Sequence, residues 1–124
     1  MMTKPELPSL SPAAVEFLTW AADDFVEIFC LRDVIRRQIG VLGPEAEKEA
    51  GLTALRELIA GGLLRVGEMH SDAPGLIYWE APPPALIERI KNLWSIQTPP
   101  AMGEPPWFYA TDEGKRVVDG LAKA

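Results

Sequence analysis

The chain has 124 residues, 48% hydrophobic and 24% charged, an ordinary globular balance that excludes disorder as the default and suits one domain with a real core. Twelve basic side chains are set against eighteen acidic ones, net −6, with five positive and nine negative charges in the first fifty residues and seven and nine in the rest. Acidity spread in this way argues against a phosphate-neutralising binder unless a local basic patch exists, and favours a basic partner.

Residues 1–10, with Pro5 and Pro8, read as a flexible N-terminal arm, and a single domain is expected over residues 11–124. The arm holds no apolar segment of signal-peptide length, and no run in the chain is long enough to span a bilayer, so a cytoplasmic location is expected. Ser11-Pro12 combines an N-cap residue with proline at the first helical position, and Ala14, Phe17, Leu18 and Ala21 then recur at helical spacing to about Ala22. Asp23 and Asp24 interrupt this first helix. Asp24 and Glu27 have capping-box spacing, and residues 25–39 are apolar on more than one face, which predicts a central second helix. Cys30, the single cysteine, lies within that apolar run and is read as a buried, inert thiol.

Gly40, Gly43 and Pro44 break the pattern, and residues 44–60 form a third helix with Leu52, Leu55, Leu58 and Ile59 on one face. Gly61-Gly62 supplies a left-handed stop onto which Leu63 folds back. Residues 63–69 and 76–80, separated by the turn signal His70-Ser-Asp-Ala-Pro-Gly75, read as a β-hairpin. Pro82-Pro83-Pro84 opens a fourth helix whose apolar face is Leu86, Ile87, Ile90, Leu93 and Trp94. The proline-rich loop 97–106 returns the chain to an aromatic strand at Trp107, which runs into a helix capped by Thr111 with Asp112 and Glu113 on its first turn and Val117, Val118 and Leu121 as its stripe. The expected fold class is α+β, in the order αααββαβα.

Three helices, then a hairpin entered through Ala60-Gly-Gly-Leu-Leu-Arg-Val-Gly67, and a closing Tyr109-Ala-Thr-Asp-Glu-Gly-Lys-Arg116, resemble the winged helix-turn-helix domain over residues 44–69 and 107–121. The resemblance implies a small antiparallel sheet and a third helix that, in DNA-binding members, enters the major groove with basic and amide side chains. Here that half-helix carries Glu45, Glu47, Lys48 and Glu49, and Glu68 and Asp72 flank His70 where a DNA-contacting wing would carry lysine or arginine. The helix between the hairpin and the last strand is a further departure.

Arg32, Arg36 and Arg37 form the only compact basic cluster, at i, i+4 and i+5 on the second helix, read either as a nucleic-acid patch or as a solvated face paired with nearby carboxylates. His70 with Glu68 and Asp72 offers three ligand types on one turn, but no second histidine or cysteine completes a zinc-like set, and the oxygens are too few for a hard cation. No serine or cysteine has a visible base, and the glycine pair ends a helix, so neither catalysis nor a cofactor is expected. Trp20, Trp79, Trp94 and Trp107 read chiefly as packing, with Trp79 or Trp107 the candidate partner anchors.

Two readings follow. The first is a non-enzymatic, acidic protein-binding module that engages a basic partner through Glu45, Glu47, Glu49, Glu68 and Asp72, of which a neutralising immunity or antitoxin-type protein is one candidate. The alternative is a winged-helix transcriptional regulator that binds nucleic acid through Arg32, Arg36 and Arg37 gathered in a homodimer.

Overall fold

A computed structural model describes residues 9–69 and 75–123, and among these the fold is mixed α+β: five helices and a four-stranded antiparallel sheet. The helices are α1 (Pro12–Asp23), α2 (Ile28–Gln38), α3 (Pro44–Ala60), α4 (Pro83–Leu93) and α5 (Asp112–Ala122). The strands are β1 (Val26–Glu27), β2 (Leu64–Met69), β3 (Leu76–Tyr78) and β4 (Trp107–Ala110), in sheet order β1-β4-β2-β3.

Local chemistry accounts for most boundaries. The Ser11 hydroxyl accepts from the Ala14 N–H at the start of α1, and the Thr111 hydroxyl accepts from the Gly114 N–H at the start of α5, each satisfying a donor the helix leaves open. Gly62 takes φ +73°, and the Leu63 N–H donates back to the Leu58 carbonyl, so α3 stops where the glycine pair predicts.

Two helices differ from the sequence expectation. The second helix begins at Ile28, because Val26 and Glu27 pair with Phe108 and Trp107 as β1. Asp24 and Glu27 therefore form no capping box; the Asp24 carboxylate accepts from the Phe25 N–H, and Glu27, buried, accepts from the Gly103 N–H. Sheet pairing from eighty residues away outweighs a local cap, since a buried strand must satisfy its backbone groups. Leu93, expected on the core face of α4, is half exposed at 48%, whereas Leu86, Ile87, Ile90 and Trp94 are buried. Those four follow the helical period towards α3, and Leu93 falls outside their arc.

The core is continuous from α1 through the sheet. Phe108, fully buried at the middle of β4, meets Phe17 of α1 edge to face with ring centroids 5.4 Å apart, a favoured aromatic geometry. Trp94 is buried against Gly51 of α3, where an added Cβ would stand 2.4 Å from its ring. Gly114 has a similar role: its N-terminal turn of α5 lies so close to the Leu63 carbonyl that a Cβ would come within 2.2 Å of that oxygen. Helix propensity alone predicts that Gly114→Ala stabilises α5 by up to about 1 kcal/mol. The clash with backbone reverses the sign, and urea unfolding of Gly114→Ala is expected to report a loss of about 2 kcal/mol; a gain in stability would refute this packing.

Candidate functional site

Pairing decides which charges the surface presents. Arg32 and Arg36, one turn apart on α2, converge on Glu47 of α3: Arg32 Nε donates to the carboxylate at 3.2 Å, Arg36 Nε lies 3.5 Å away, and Arg32 also donates to the Pro100 carbonyl at 2.9 Å. Glu47 is 5% exposed. Arg37 is held by Glu16 and by Asp33 at 3.0 Å, and its guanidinium lies 4.8 Å from the centre of the Trp20 ring.

These contacts correct one expectation. Glu47 leaves the acidic surface, because position 47 lies on the side of α3 that packs on α2, and its charge is matched there by two guanidinium groups. Of the two readings of the arginine cluster, the contacts match the face paired with nearby carboxylates, since each of its members is bound to one. Burial would push the Glu16 carboxyl up, but hydrogen bonds from Arg37 and Gln38, with the Arg37 charge, outweigh it and hold the carboxyl below its ordinary value.

Of the other acidic candidates, Glu45 is exposed beside a groove of about 490 Å³ formed by residues 43–46 with Ile96 and Gln97. Glu49 is exposed and pairs with Arg56 at 3.3 Å. Glu68, half-buried on β2, pairs with Arg89 at 3.2 Å, and that guanidinium stacks on Trp79 at 3.6 Å. Asp72, with His70, lies outside the described residues. The acidic set therefore does not form one patch: Glu45 and Glu49 share the exposed first half of α3, and Glu68 belongs to the sheet.

The pairing extends across the molecule. All seven arginines contact a carboxylate within 4 Å, the remaining pairs being Arg65 with Glu80 and Arg116 with Glu113. Among the described residues Asp23, Asp24, Glu27, Glu45, Glu57, Glu88, Glu104, Asp112 and Asp119 form no salt bridge, although Asp24, Glu27 and Glu57 accept hydrogen bonds. Asp23, Asp24 and Asp119 all line a cleft of about 730 Å³ between α1, β1 and α5. Sequence reasoning missed this cleft. Asp23 and Asp24 read as a helix break, Asp119 is not singled out in the sequence, and only the fold places residues 23 and 119 in the lining of one cleft. The one usable signal was that neither α1 nor α5 has a basic residue in its last turn.

Of the four tryptophans, Trp94 is buried with its indole N–H unpaired, Trp79 and Trp107 are half-buried, and Trp20 is the exposed one at 37%. Cys30 is half-buried, and burial pushes its thiol up, so little thiolate forms near neutral pH. Among the described residues no group of three or more His, Cys, Asp or Glu side chains is disposed to hold a metal ion, and no helix is long and apolar enough to cross a membrane. No protein family, curated protein or solved structure gives a significant match to this chain.

Two outcomes test the pairing. Glu47→Gln leaves two guanidinium groups facing a neutral amide in a buried position, and chemical unfolding is expected to show a loss of about 2–3 kcal/mol, below the range for fully buried pairs because Arg36 is half exposed. For Glu16, whose folded-state value is lowered, the stabilisation is present above the unfolded carboxyl's range and is lost as pH falls through the folded value. Stability measured over an acidic pH series should therefore decline less steeply in Arg37→Met than in the parent chain; parallel curves would remove the Glu16–Arg37 pair as the cause.

Proposed function

We propose that this chain is a non-enzymatic protein-binding module of winged-helix type, acting in the cytoplasm, that engages a basic partner through the exposed acidic half of α3. The observation that carries the reading is the complete commitment of the arginines. With every guanidinium already matched to a carboxylate, the net charge of −6 remains as an excess of carboxylates over the five lysines, Glu45 among the carboxylates without an ion pair. A surface of that sign attracts cationic segments and raises the rate of encounter with them.

Glu45 and Glu49 are the residues proposed to meet the partner, with Glu68 and Asp72 at the hairpin as an outlying contribution. Glu47 supports the surface from beneath by fixing α2 against α3. The winged-helix assignment is supported by the helical triplet before the hairpin and by the aromatic strand leading into the Thr111 cap. A protein that neutralises a nucleic-acid-binding toxin suits such a surface, and a basic toxin-like reading frame beside the gene would strengthen that choice. The regulator reading loses its proposed contacts, because phosphate would have to compete with Glu47, Glu16 and Asp33 for Arg32, Arg36 and Arg37.

The test has two arms. In a gel-shift titration with random-sequence duplex at low salt, no shift is expected; micromolar binding that weakens steeply with salt would overturn the reading. In calorimetric titration with a twenty-residue peptide of alternating lysine and alanine, binding is expected, and Glu45→Gln/Glu49→Gln should weaken it by about tenfold. Equal affinity in the double variant would remove the α3 surface as the binding site.

A further inference from the structure

The cleft between the C-terminal end of α1, β1 and α5, about 730 Å³ in volume, has a lining that mixes apolar and acidic side chains: Trp20, Phe25, Val26 and Val118 with Asp23, Asp24 and Asp119. We infer that this cleft is a recognition site for an arginine side chain presented by a partner protein. The inference goes beyond the α3 surface and depends on the protein-partner reading only for the source of the arginine.

The electrostatics point to a cation. Asp23 is the last residue of α1 and Asp119 lies in the final part of α5, so both carboxylates stand near the negative ends of helix dipoles, where anions are disfavoured. Neither helix has a basic residue in its last turn to offset them. The cations nearest to Asp119 in sequence are engaged elsewhere or unpaired with it: Lys115 stands over the Tyr109 ring at 4.5 Å, Arg116 binds Glu113 at 2.7 Å, and Lys123 makes no ion pair to Asp119. Asp24 accepts from the Phe25 N–H, and none of Asp23, Asp24 and Asp119 has a salt-bridge partner among the described residues, so the cleft lining carries three carboxylates without a cation.

The walls select the kind of cation. Among the described residues no three carboxylates are disposed to hold a metal ion, and the apolar side chains of the lining suit a cation that carries an organic stem. Aromatic and valine side chains accept an aliphatic stem, and the Trp20 ring, which Arg37 covers on one face at 4.8 Å, presents an aromatic edge beside which a planar guanidinium can lie. Arginine offers the stem, the plane and five donors for two carboxylates.

The probe is acetyl-Ala-Arg-Ala-amide, compared with its citrulline counterpart, which keeps the shape and removes the charge, in titrations of the ¹⁵N-labelled full chain. The arginine peptide is expected to shift the amides of residues 19–26 and 118–120 and the Trp20 indole, and the citrulline peptide to leave them in place. Asp23→Asn/Asp119→Asn should weaken binding at least about fivefold, whereas Glu45→Gln/Glu49→Gln should not change it. Shifts confined to other residues, equal response to citrulline, no effect of the Asp23/Asp119 change, or no binding would each overturn the assignment. Concentration-dependent shifts of the same residues without peptide would identify a second copy as the occupant and overturn it as well. Failure of the α3 surface in the longer-peptide titration leaves this result standing, and the reverse holds.

Discussion

The insertion of β4 between β1 and β2 is the constraint on which the rest of the fold depends. Residues 107–110 pair on one side with Val26 and Glu27 and on the other with residues 64–67, so a single four-residue strand ties the first quarter of the chain, the centre and the C-terminal region together. Phe108 at its middle is fully buried and packs on Phe17, which fixes α1 over the sheet. Once β4 is seated, α5 must start directly above Leu63. The close approach at Gly114 and the hydrogen bonds from Thr111 to the carbonyls of Leu63 and Gly62 follow from that placement.

The same constraint positions the charges. Pairing of Val26 with Phe108 brings the end of α1 and the start of α2 to the edge of the sheet, beside α5, and opens the cleft between them. On the other side of α2, Arg32 and Arg36 are directed at α3, where Glu47 sits buried beneath the exposed Glu45 and Glu49. A buried carboxylate with two guanidinium partners is expensive to desolvate, and it contributes specificity of α2–α3 docking as much as stability. The acidic half of α3 thus combines a structural anion facing inward with two exposed anions facing outward, on positions only two residues apart.

Much of the fold was legible because the relevant signals are local. Ser11-Pro12, Gly61-Gly62 and Thr111 each act within a few residues of the helix end they define, and α3 runs over residues 44–60 as its leucine spacing predicts. The hairpin strands were legible from their β-branched and aromatic runs, with β3 ending at Tyr78, two residues short of expectation. The strand β1 was not legible. Its two residues carry no periodicity, and its partner Phe108 lies 82 positions away in the chain. Local capping chemistry at Asp24 and Glu27 was a sound signal that a long-range pairing displaced.

The sequence by itself determined most element types, several helix ends and the acidic sign of the net charge, because each of these depends on residue identity and short spacing. Only the tertiary structure decided which charges remain available. Coulombic interaction falls with distance in space, and Arg32 with Glu47, or Arg37 with Glu16, meet across fifteen and twenty-one residues of chain. The arginine cluster on α2 therefore became the internal counter-charge of the domain, Glu47 became a buried support, and Asp23 and Asp119, far apart in the sequence, became part of the lining of one cleft.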